Sequence, residues 1–136
     1  MTPPAPRVVG LGGVFIKARD PQRMRDWYRR HLGLDIDPSY GGCTLPLNYP
    51  PQPKAYSVFS VFDDNTRYFD PIPPGAEAGT ARFMINFRVA DLDGLIAALR
   101  AEGCAVAEQI ERSEYGAFGW VMDPEGQRIE LWQPPD

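Results

Sequence analysis

Two stretches decide the fold: residues 13–33, "GVFIKARDPQRMRDWYRRHLG", and residues 84–103, "MINFRVADLDGLIAALRAEG". In each, alternating residues lead to an aspartate, then to apolar residues at helical spacing, then to a glycine. Asp20 is the expected N-cap of the first helix, with Pro21 at its first position and Met24, Trp27, Tyr28 and Leu32 as its apolar stripe before Gly33. In the second stretch Ile85, Phe87 and Val89 alternate and Asp91 caps the helix. Leu92, Leu95, Ile96 and Leu99 form its stripe, and Gly103 closes it. The two aspartates lie 71 residues apart, and that offset matches Val14 with Ile85, Ile16 with Phe87, Ala18 with Val89 and Lys17 with Arg88. Each stretch predicts a strand followed by a helix, so the chain states one plan twice.

Short strand candidates follow each helix. In the first half they fall around Leu34–Ile36, Gly42–Leu47 and Ala55–Phe62, and in the second around Cys104–Glu108, Gly116–Met122 and Gln127–Gln133. The expected fold is therefore α+β: one domain of two tandem βαβββ modules, the first over about residues 9–70 and the second over about 80–134. A single such unit covers one face of its sheet with its helix and leaves the other bare, so two units are expected to set their bare faces around a shared cleft.

The segment "MDPEGQRIELWQPP", residues 122–135, shows what lines that cleft. Asp123, Pro124 and Gly126 carry turn chemistry, and the strand that follows alternates Ile129 and Leu131 with Arg128, Glu130 and Trp132. If Val14, Ile16, Ile85, Phe87, Val89, Ile129 and Leu131 face the helices, the cleft receives Gly13, Phe15, Lys17, Met84, Asn86, Arg88, Arg128, Glu130 and Trp132. Three cations and one acid between aromatic walls suit a small polar or anionic molecule. A solvated face with internal salt bridges is the competing reading of the same charges.

Composition narrows the partners. At 136 residues, 43% hydrophobic and 24% charged, the chain is a globular domain with a real core. A net charge of −4 and a pI near 5.0 argue against nucleic acid and anionic membrane surfaces. No apolar run reaches the roughly 18 residues of a membrane span, and "MTPPAPR" lacks the apolar core of a signal peptide, so a cytoplasmic location is expected. Cys43 and Cys104 fall in separate candidate strands without metal or redox spacing and read as buried thiols. Prolines gather at the start, in "LPLNYPPQPK" and in "DPIPPGAEAG", marking a tail and two loops.

The capped helix "DPQRMRDWYRRHLGL", the strand and helix "FRVADLDGLIAALRAEG" and the ending "YGAFGWVMDPEGQRIELWQP" resemble the vicinal oxygen chelate superfamily, from about Val9 to Pro134. That superfamily includes glyoxalase I, bleomycin-resistance proteins and extradiol dioxygenases, and its enzymes hold one divalent metal on His or Glu from the first and last strands of each module. The resemblance places Glu130 at a last-strand ligand position. It puts Gly13 and Met84 where the first-strand histidines would stand, and Ser57 or Ser60 where the first module would supply a carboxylate. Glycine offers no donor and a thioether is a poor ligand for a hard cation, so no metal cofactor is expected. The one histidine, His31, sits near the end of the first helix, and Asp63 and Asp64 read as turn residues.

Two functions follow from this set. The first is a binding module that holds a small ligand with Phe15, Lys17, Ser60, Met84, Asn86, Arg88, Arg128 and Trp132, as the bleomycin-resistance branch sequesters a drug. The second is a lyase, isomerase or dioxygenase with Glu130 as the catalytic residue, either on an unconventionally held metal or as a base beside Lys17 and Arg88. A purely structural or regulatory partner protein is a third reading, carried only by the proline loops. A homodimer is expected from the superfamily's habit of pairing and from aromatics without an evident role, among them Tyr49, Tyr56 and Phe69.

Overall fold

A computed structural model describes residues 11, 13–47, 50–75 and 79–136. Its regular elements are α1 (Pro21–Leu32), β1 (Ile85–Arg88), α2 (Leu92–Ala101), β2 (Glu111–Ser113), β3 (Gly116–Met122) and β4 (Arg128–Gln133). Both helices start as their sequences dictate. The Asp20 carboxylate accepts the Arg23 amide at 3.2 Å and Asp91 accepts that of Gly94 at 3.1 Å, each satisfying a donor the helix cannot. Gly33 ends α1 in the left-handed region at φ 68°, and the Leu34 amide reaches back to the Tyr28 carbonyl at 3.3 Å.

The second half builds the sheet, in order β1-β4-β3-β2. β1 lies parallel to β4, Ile85 beside Ile129 and Arg88 beside Trp132, while β3 is antiparallel to both β4 and β2. The β3–β4 turn is fixed by Asp123, whose Oδ1 accepts the amides of Glu125 at 2.9 Å and Gln127 at 3.0 Å. Leu92, Ile96 and Leu99 of α2 bury against Val121, Ile129 and Leu131, and α1 adds Met24 and Tyr28 to the same core. The closest approach is at Gly119, where a Cβ would meet Ile96 Cδ1 at 3.0 Å. Inside this core the Tyr28 hydroxyl donates to Asp123 Oδ2 at 3.0 Å, which ties α1 to the hairpin turn. Burial first, and then the Asp123 charge, holds the Tyr28 phenol far above its usual range, so it stays a donor.

The same turn grips the start of α1 from outside. Glu125 accepts the amides of Arg19 at 2.7 Å and Asp20 at 2.9 Å, which hold its carboxyl below the usual range. A depressed carboxyl stabilises the fold above its ordinary value of about 4.5, and that contribution disappears as pH falls through the lowered one. Melting temperature followed by helical circular dichroism is therefore expected to fall less steeply below pH 4.5 in Glu125→Gln than in the wild type. Parallel acid limbs would show that the clamp contributes nothing.

The first half departs from expectation. Among the described residues, Val14–Ala18, Leu34–Ile36, Gly42–Leu47 and Ala55–Phe62 form no strand, and only an isolated Asp37–Gly42 bridge joins them. Alternation tells which side chains would be buried once a strand is paired, but pairing needs another backbone, and among the described residues only the Asp37–Gly42 bridge supplies one. The expected inward residues Val14 and Ile16 are exposed, as is Phe15. Among the described residues one βαβββ unit is thus formed, by the second half, and the first contributes α1 and extended chain. In the second half, the run around Cys104–Glu108 makes only a Val106–Val121 bridge, and the strand that pairs with β3 falls later, at Glu111–Ser113. Cys43 and Cys104 are free, half-buried thiols outside strands, and burial pushes both thiols up. Among the described residues no helix is long and apolar enough to cross a membrane.

Candidate functional site

The sheet face turned away from the helices carries Arg128, Glu130 and Trp132 from β4, Phe118 and Trp120 from β3, and Asn86 and Arg88 from β1, as strand parity predicts. It is not bare. The chain between Pro50 and Asp70 crosses it, setting the Tyr56 ring 5.1 Å from that of Trp132 and the Tyr68 ring 6.2 Å from that of Trp120. Trp132 is 5% exposed, stacks on Phe118 and donates its indole N–H to the Tyr115 carbonyl at 2.7 Å.

Glu130 lies at the centre and is 8% exposed. Its Oε1 accepts from the Asn86 amide at 2.8 Å, and its Oε2 accepts from the Trp120 indole at 2.9 Å and from the Tyr68 hydroxyl. Burial and then the bond to Glu130 push the Tyr68 phenol well above its usual range, so it keeps the proton it donates. The Arg128 guanidinium spreads over two rings, 5.2 Å from Trp120 and 5.8 Å from Tyr68, and its Nη1 lies 3.4 Å from the Asp70 carbonyl. Its Nε is buried and has no partner among the described residues, and burial lowers the pKa of the group.

The superfamily's divalent metal does not fit these residues. Both Glu130 oxygens are engaged by neutral donors, and Gly13 and Met84 bring no hard donor to the histidine positions. Among the described residues no group of three or more His, Cys, Asp or Glu side chains could hold an ion. His31 is in the last turn of α1, with Nδ1 3.3 Å from Glu102 at the end of α2. Asp64 pairs with Arg82 at 3.0 Å on the surface, and the Asp63 carbonyl accepts the Thr66 amide, as turn residues do.

Beside the Glu130 cluster, around the open edge of β1, is a cavity of about 390 Å³. Leu32, Leu34 and Leu95 wall it on the helical side and Leu45, Leu47 and Tyr56 on the other, with Asn86 and Arg88 as its polar groups from the strand. Arg88 holds the far wall in place. Its guanidinium donates to the Gln52 side-chain carbonyl, to the Pro50 carbonyl at 3.2 Å and to the Leu47 carbonyl at 3.4 Å. The Gln52 amide in turn donates to the Val89 carbonyl at 3.2 Å.

Of the site residues expected from sequence, Asn86, Arg88, Arg128, Glu130 and Trp132 come together on one face. Met84 stands just before β1, half-buried. Phe15, at 96% exposure, and Lys17 and Ser60, also exposed, do not join them, because the strands meant to carry them find no partner among the described residues. Tyr56 and Phe69 have roles, the first against Trp132 and the second 5.1 Å from Phe62, while Tyr49 lies outside the described residues. Trp120, Tyr68 and Gln52 are the residues that sequence reading missed. Trp120 was detectable from the alternation of Phe118, Trp120 and Met122 in "GAFGWVM"; the other two come from loop chain with no periodic signal.

The profile of the glyoxalase-like domain matches residues 13–132. Among solved structures, TnmS3, an antibiotic binding protein from Streptomyces sp. CB03234, shares the fold at a TM-score of 0.57 and 19% identity, over 96% of this chain and 100% of its own. A protein of unknown function from Agrobacterium tumefaciens str. C58 aligns at a TM-score of 0.50 and 20% identity, over 92% of this chain and 97% of its own. No match is found among curated proteins. With a profile that covers most of the sequence and a fold shared almost end to end, the chain belongs to the glyoxalase-like domain family of the vicinal oxygen chelate superfamily.

Proposed function

We propose that this protein is a metal-free binding protein that takes a small molecule into the cavity beside β1 and catalyses no reaction there. The observation that carries the reading is Arg88: a cation at a cavity of about 390 Å³, held among the described residues by neutral acceptors. That volume lies within the usual range of small-molecule sites, and the lining sets leucines and Tyr56 beside the polar groups of Gln52, Ser57, Asn86 and Arg88. The structural likeness to an antibiotic binding protein supports a binding role. Catalysis with Glu130 as base draws no support from its surroundings, since its oxygens are engaged and Lys17 does not face it.

The binding protein is further proposed to be a homodimer, the second copy supplying what the first-half runs lack. Leu47, Phe59 and Val61, each more than 80% exposed, are apolar groups that such an interface would cover.

A thermal-shift screen of small carboxylates, phosphates and aromatic acids tests the site, because a ligand that binds only the folded state must raise its melting temperature. Arg88→Ala is expected to weaken binding of the best compound by about 1.5–3 kcal/mol, the range for a hydrogen bond to a charged group. Equal stabilisation of both proteins by every active compound would remove Arg88 from the site.

A further inference from the structure

We infer that this cavity selects amphipathic acids, and that Gln52 is an internal occupant of the Arg88 guanidinium which the ligand's carboxylate displaces. The inference rests on the binding reading above and adds the ligand's class and the means of its admission. The walls supply the first part. Leucines at positions 32, 34, 45, 47 and 95 and the ring of Tyr56 give an apolar body surface to bury against, beside the polar groups of Gln52, Ser57, Asn86 and Arg88. About 390 Å³ is room for a body of roughly a dozen non-hydrogen atoms.

Arg88 supplies the second part. Its donors are met by the Gln52 amide oxygen and by the carbonyls of Pro50 and Leu47, all neutral, and among the described residues no carboxylate pairs with it. A carboxylate brings an opposite charge to the guanidinium and fits its fork with both oxygens, whereas the Gln52 amide offers it one neutral acceptor. A carboxylate entering from the apolar side therefore replaces a weaker partner with a stronger one. Gln52, once released, also loses its hold on Val89, which frees one of the side chains that line the cavity. A neutral amide of the same shape gains no such advantage over Gln52, and an ammonium is repelled.

Isothermal titration calorimetry with 4-butylbenzoate and its neutral isostere 4-butylbenzamide, on the wild type, Gln52→Glu and Gln52→Ala, tests the exchange. The benzoate is expected to bind the wild type at least about tenfold more tightly than the amide. Gln52→Glu gives Arg88 an internal carboxylate and is expected to weaken the benzoate by about tenfold or more, and the amide by less, so that the benzoate's preference over the amide shrinks. Gln52→Ala, which removes the competitor, is expected to bind the benzoate at least as well as the wild type. If amide and benzoate bind the wild type alike, or if Gln52→Glu does not weaken the benzoate, the anion-exchange inference falls and the cavity remains a binding site. If neither compound binds any of the three proteins, both the inference and the binding reading beneath it fall.

Discussion

Glu130→Ala is expected to lower stability by about 3 kcal/mol, seen as a fall in melting temperature of about 10 °C. The carboxylate joins three elements: β1 through Asn86, β3 through Trp120 and the Pro50–Asp70 crossing through Tyr68. Removing it leaves the Trp120 indole N–H without an acceptor in a residue 3% exposed, and takes the negative charge from beside Arg128. An orphaned buried donor costs about 1–3 kcal/mol by itself, and a cation deprived of its nearby acid adds to that. Asn86 contributes least, being exposed enough to turn to water. Glu130→Gln keeps an acceptor oxygen and is expected to cost about half as much. If instead Glu130 were a free group waiting for a metal, either substitution would leave the melting temperature of metal-free protein almost unchanged.

Gly116→Ala is expected to cost about 3 kcal/mol for a different reason. Gly116 opens β3 at φ 112°, a conformation that side chains rarely adopt, and an added Cβ would lie 2.2 Å from the Gln133 carbonyl oxygen and 3.0 Å from the Trp132 indole nitrogen. The obstacle is backbone on the neighbouring strand, so β3 and β4 must separate at that end. Gly33→Ala is the control. It also has positive φ, at 68°, but no atom lies within 4 Å of its added Cβ, so it should show only the strain of the left-handed region, about 1 kcal/mol. Equal effects at the two positions would mean that the contact with Gln133 relaxes without cost.

How much could be read in advance depended on what each residue's position required. Asp20 and Asp91 act through amides three residues away, so both caps were legible in the sequence. Ile129 and Leu131 against Arg128, Glu130 and Trp132 is a two-residue period, which strand geometry turns directly into two faces. The placement of Glu130 on the face away from the core was therefore legible, but not its partners. Tyr68 is 62 residues distant in a loop, and only the path of the Pro50–Asp70 chain over the sheet brings them together. The same limit explains Phe15, Lys17 and Ser60: alternation assigned them a face, but the strands that would define that face find no partner among the described residues. Arg88 was found by parity, and its engagement with Gln52 was not, since glutamine in a proline-rich loop carries no pattern.

The most direct test of a metal-free binding protein is native mass spectrometry of material purified without added metal or chelator. The mass expected is that of two 15.2 kDa chains, with no divalent ion on either. A single 15.2 kDa chain carrying one zinc, nickel, iron or manganese ion would contradict both the dimer and the reading of Glu130 as a group already satisfied by Asn86, Trp120 and Tyr68.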